Sequence, residues 1–165
     1  MKTKLILLIV LFVLSQSVIA QSKDEKPFKI GVGAMIGLPL GDISTGTSLT
    51  YGVDLLGEYS VAPSFALTLS AGYVDFILKS GYSGNNGLIP VLAGAKYYFS
   101  DKIYGSAQTG LAFSTQSGNS GSAFTFAPGL GYKVSGNFDL LLKYQSATKN
   151  DWNTSFLGLQ AGFSF

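Results

Sequence analysis

The side chains able to do chemistry in this 165-residue chain are few: nine carboxylates, eleven lysines, nine tyrosines and one tryptophan, with no His, Cys or Arg. Nucleophiles of the Ser–His–Asp and Cys–His kinds lack their base. Zinc sites of the usual type, haem and iron–sulfur clusters lack their ligands. Base reading in nucleic acid lacks its Arg forks. No cofactor, metal or nucleic-acid partner is therefore expected. Carboxylates alone can act as acid and base, but a productive pair must hold a substrate between them. Gly31, Gly33 and Gly37 imitate part of a dinucleotide fingerprint, which needs a strand-to-helix turn; here they fall within one alternating run. The informative polar set is seven charges on one face of an alternating pattern: Lys29, Asp54, Glu58, Lys96, Lys133, Asp139 and Lys143.

The elements that must position those charges are strands. Apolar residues recur with period two, placing successive side chains on opposite faces. Eight such runs begin near Phe28, Leu49, Phe65, Ile89, Ile103, Phe124, Phe138 and Leu157. Links between them alternate in length. Residues 39–48, 79–87, 115–122 and 146–155 read as long polar loops, whereas 62–64, 100–102 and 135–137 read as tight turns built from Pro, Ser, Asp, Gly and Asn. Long links at one end, short links at the other and an even strand count predict an all-β, eight-stranded antiparallel up-and-down transmembrane β-barrel, with short periplasmic turns and longer extracellular loops.

The N-terminus reads as an address. Lys2 and Lys4 precede an unbroken apolar run from Leu5 to Leu14, then a polar Ser15-Gln16-Ser17 and a small residue at Ala20. This is the layout of a secretory signal peptide, too short to span a bilayer. Cleavage after Ala20 removes two of the eleven lysines and leaves nine against nine carboxylates, so no basic surface remains to argue from. The expected division is a leader at 1–20, a short periplasmic segment at 21–27 and the barrel at 28–165.

The two faces of the strands decide between membrane and water. Only 12% of the residues are charged, about half the usual share of a soluble domain. One face carries Leu, Val, Ile and Ala with aromatics at both ends. Phe28, Tyr59, Phe65, Tyr97, Phe99, Tyr132, Phe138, Phe163 and Phe165 gather toward the short turns, and Tyr51, Tyr73, Phe113, Phe124 and Tyr144 toward the long loops. Two aromatic belts around an aliphatic band mark a lipid-facing surface. The other face, of Gly, Ser, Thr and Gln with the seven charges, suits the narrow interior of an eight-stranded barrel. Within it Glu58, Lys96, Lys133, Asp139 and Lys143 lie near short turns, so they are expected to share one layer at the periplasmic mouth, where pairing avoids the cost of a lone buried charge.

Together these residues resemble a family. The leader, the eight alternating strands and the last strand, 156–165, with its terminal aromatic, are similar to small outer-membrane barrels of the OmpX/OmpA type. The resemblance implies a monomer in the bacterial outer membrane, in contact with its lipid. It also implies that Leu159, Phe163 and Phe165 form the C-terminal signal read by the barrel-assembly machinery. Related barrels often place Arg–Glu pairs in the lumen, a role that Lys takes here. Outer-membrane proteases and lipases of similar outline rely on His, which is absent.

The function expected from this reading is non-enzymatic: envelope structure, or surface interaction through the loops. Trp152, placed in the last loop, is expected as a contact residue or an interfacial anchor. The alternatives are a narrow porin-like channel for ions or small or hydrophobic solutes, and a soluble periplasmic β-barrel whose apolar face turns inward around a ligand.

Overall fold

Alternation with period two produces eight antiparallel strands, each paired with its sequence neighbours, and the first pairs with the last to close a barrel. The computed structural model describes residues 27–81, 87–115, 121–149 and 152–165. The strands are β1 Phe28–Leu40, β2 Thr47–Ala62, β3 Phe65–Leu78, β4 Leu88–Tyr98, β5 Ile103–Ser114, β6 Ser122–Lys133, β7 Phe138–Lys149 and β8 Trp152–Ser164. Closure runs from Gly31 opposite Ser164 to Leu40 opposite Ser155. The leader at 1–20 and all of the 21–27 segment except Pro27 lie outside the described residues.

At one end the links are tight. Residues 63–64, 99–102 and 134–137 turn the chain, and serine hydroxyls hold two of the turns. Ser100 Oγ accepts from the backbone of Ile103 at 3.1 Å, and Ser135 Oγ accepts from that of Phe138 at 3.2 Å. The other end corrects two of the expected loops. A 3-10 turn at Gly41–Thr45 fills most of the first link, and β1 and β2 extend to either side of it. The link expected at 146–155 is mostly strand: β7 runs to Lys149, β8 starts at Trp152, and the two pair throughout. Polar residues there looked like loop, but a ladder that rises beyond the apolar band needs no apolar face. Ser146 Oγ bonds Asn153 Oδ1 across it at 3.1 Å.

The face assignment holds along every strand. Val32, Ile36, Val53, Leu55, Leu67, Leu69, Leu130 and Leu159 point outward, as do the aromatics of both belts. Tyr97 packs edge-on against Phe99, and Phe163 against Phe165, in the belt at the turn end. A soluble binder with its apolar face inward would show the reverse pattern. Pro90 and Pro128 sit mid-strand and lack a backbone N–H. Beside each, the ladder on one flank skips two positions, between β3 and β4 and between β6 and β7, while the other flank pairs without a break.

Candidate functional site

With lipid-facing residues outside and short turns at one end, most of the charged side chains among the described strands gather in the bore, in layers; outside it, Tyr51 donates its hydroxyl to Asp75 Oδ2 at 3.0 Å. At the turn end, β2 and β4 bring Glu58 and Lys96 together, with Lys96 Nζ 2.8 Å from Glu58 Oε2 and both side chains buried. Tyr98, two residues along β4, donates its hydroxyl to Glu58 Oε1 at 2.7 Å. Tyr104 on β5 donates to Asp139 Oδ2 on β7. Two lysines also lie over ring faces: Lys133 Nζ is 4.1 Å from the Tyr98 centroid, and Lys96 Nζ, besides its carboxylate, is 4.7 Å from that of Tyr104, a placement that favours a cation electrostatically. Lys29 lines the same space, a cavity of about 20 Å³. Gly131 faces the Tyr104 ring so closely that any Cβ would overlap it.

Glu58, Lys96, Lys133 and Asp139 line one space at the turn end. Lys143 does not. It lies four residues beyond Asp139 on β7, and a strand advances about 3.4 Å per residue, which carries Lys143 out of the mouth to a deeper cavity that it lines with Asp54, Gln145 and Gln160. There Gln160 Nε2 donates to both carboxylate oxygens of Asp54, at 3.1 and 3.3 Å. Between the two layers, Gln108 Nε2 bridges Ser70 and Thr68.

The loop end of the bore holds an apolar cluster, interleaved with the buried threonines Thr50, Thr125 and Thr154. Met35, Val74, Phe76, Leu88, Ala112, Ala123, Ala147 and Phe156 form one buried cluster, with Ile43 of the 3-10 turn packed against it. Phe76 and Phe156 meet edge to face at 6.3 Å between centroids. This plug was not anticipated, because its residues on β3 and β8 lie past the alternation that could be read. The missing signal was parity: Val74 and Phe76 continue the inward series of Ser70. Parity also places Tyr98 and Tyr104 on the charged face. A filled bore of this kind, charged at the turn end and largely apolar at the loop end, has cavities of about 20 Å³ within it, each close to the space of one water.

Of the remaining candidates, Leu159, Phe163 and Phe165 project to the outer face at the β8 seam. Trp152 opens β8 opposite Lys149 rather than standing in a loop.

A family model for the outer membrane protein beta-barrel domain matches residues 6–165. No curated protein matches the sequence. Among solved structures, Ail, the attachment invasion locus protein of Yersinia pestis, superposes with a TM-score of 0.58 at 19% identity, covering 84% of this chain and 97% of that one. The N-terminal barrel of Pseudomonas aeruginosa OprF gives 0.58 at 17%, covering 83% and 97%. Neisserial surface protein A gives 0.58 at 15%, covering 85% and 98%. At such identities these likenesses speak for the fold, and they agree on a small barrel.

Proposed function

Because this chain belongs to the outer membrane protein β-barrel domain family, we propose that it works at the bacterial outer membrane as a non-enzymatic, non-conducting barrel. Its task on this reading is to strengthen the envelope or to present its loop end to surface partners. The observation that carries the reading is the apolar plug. Phe76 and Phe156 close the loop end over a bore in which Lys96 is paired with Glu58, Asp139 accepts from Tyr104 and Lys133 lies over the Tyr98 ring. An ion passing those rings would have to shed its hydration in a bore whose cavities hold about one water each, with only scattered threonine hydroxyls in its place. With the bore closed, the surface left for interaction is the loop end. There β2, with 16 residues, and β3, with 14, exceed the length a bilayer crossing needs, about 9–11 residues.

The leader at 1–20 delivers the chain across the inner membrane, and Leu159, Phe163 and Phe165 serve its insertion by the assembly machinery. The barrel acts as a monomer in contact with lipid. The attachment role in the name of Ail belongs to that protein; for this chain, surface contact is supported by the extended strands alone. Exchanging residues 79–87 and 115–121 for short turns tests the reading. The variant should still fold in the outer membrane and lose the surface phenotype of the parent. A phenotype indifferent to both loops would overturn surface interaction.

A further inference from the structure

A hollow of about 690 Å³ lies on the lipid-facing wall, where the cavities of the bore measure about 20 Å³ each. Its shape follows from the strand register. Ala161 pairs with Ala34 and Ala34 with Val53, so two alanines and a valine stand in one row across β8, β1 and β2. Two residues toward the loops, the same strands carry Leu159, Ile36 and Tyr51; two residues toward the turns, they carry Phe163, Val32 and Leu55. Long side chains on both sides of a short row make a trough, with adjacent rows about 7 Å apart. It begins at Phe138, the first residue of β7, and ends at Tyr73 on β3 and Ile89 on β4. From β7 to β4 the path takes five strand-to-strand steps of about 4.8 Å, about 24 Å in all, and it climbs from the turn end toward the loop end. Near its upper end, on the same outer face, Tyr51 donates its hydroxyl to Asp75. A carboxylate on that face belongs at the interface rather than in hydrocarbon, so the trough opens there at headgroup level.

We infer that this trough is a binding site for one hydrocarbon chain of a membrane lipid, entering from the loop-side interface. The inference rests on the placement of the barrel in the outer membrane, and the trough is continuous with its lipid-facing surface. Within hydrocarbon there is no water to fill such a hollow. A second barrel would present a convex wall, which would rest on the ridges and leave a floor one row wide uncovered. A single chain lies between the ridges and is touched on three sides, so it gains more dispersion contacts than a chain against a smooth wall. The site is independent of the loops, so it stands whether or not they bind a surface partner.

The test refolds the full chain into vesicles of phosphatidylcholine with chains brominated at mid-length, checks insertion by heat-dependent gel mobility, and crystallises the barrel from the same lipid. The inference predicts anomalous bromine signal over Ala34, between the Ile36 and Val32 rows, and its loss in Ala34→Phe, whose ring fills the floor. Ala107→Phe, on the outer face of β5 away from the trough, should keep the signal. Should Ala34→Phe fail to insert, Ala34→Leu takes its place, with a weakened signal. An inserted wild-type barrel without bromine over Ala34 would overturn the inference and leave the membrane reading standing. So would a signal that survives Ala34→Phe or is undiminished by Ala34→Leu. A chain that stays out of the vesicles would overturn the membrane reading itself, and the lipid site with it.

Discussion

Lys96 and Glu58, 38 residues apart in sequence, meet at 2.8 Å inside the barrel, and Tyr98 occupies the carboxylate oxygen that Lys96 leaves free. A buried pair of this kind adds little net stability but is costly to break from one side, because the survivor remains charged and out of water. Glu58→Leu should therefore destabilise the barrel by about 3–5 kcal/mol. Adding Lys96→Met should recover most of that loss. Urea unfolding in detergent or lipid, followed by tryptophan fluorescence, reads both variants. A double variant as unstable as the single one would show that the pair is not the unit.

The outer face makes a depth-dependent prediction. Leu69, 62% exposed in the middle of β3, faces the hydrocarbon. Leu69→Lys should cost about 2–4 kcal/mol, and Phe99→Lys, in the belt at the turn end, only about 0–1 kcal/mol. Equal costs in lipid vesicles would contradict the lipid-facing assignment.

Gly131 and Tyr104 form a size-complementary pair across β5 and β6, because the tyrosine ring occupies the space where a Cβ at 131 would stand. Gly131→Val should lower stability by about 1–3 kcal/mol through overpacking. Tyr104→Ser in the same chain should relieve the clash while releasing Asp139 from its hydroxyl partner. Comparing the unfolding midpoints of the two single variants and the double variant measures the coupling.

How much of this was legible in the sequence follows from what side-chain alternation records. The strand count, the outward face and the tight turns, read at 62–64, 100–102 and 135–137 and found within a residue of those bounds, were readable because lipid demands an apolar residue at every second position. Seven inward charges were readable for the same reason. Parity alone says nothing of height along the axis, so Lys143 was grouped with Asp139 although four residues of strand separate them. Nor does it mark where a strand ends once it leaves the bilayer. Ser146, Thr148 and Asn153 therefore read as loop, Phe76 beyond the apolar band went unassigned, and Phe156, placed in the last strand, was given no face. Tyr98 and Tyr104 were on the charged face, but phenol rings as seats for lysine depend on neighbours one strand away, as for Lys96 and Tyr104, or two, as for Lys133 and Tyr98, which alternation within a strand does not record.

The plug makes its own prediction. Phe156 is 1% exposed and packs on Phe76, so Phe156→Ala should cost about 3–5 kcal/mol. The loss should appear in thermal or urea unfolding while the outer-membrane location is retained. A loss below about 1 kcal/mol would mean that the loop end collapses freely around the gap, as loosely packed sites do.

The most direct test of the whole account is single-channel recording in planar bilayers, using protein whose heat-dependent gel mobility confirms a folded barrel. The filled bore predicts silence across a wide voltage range. Reproducible conductance steps from the folded wild type, altered by Lys133→Met, would contradict it and make the bore a pathway.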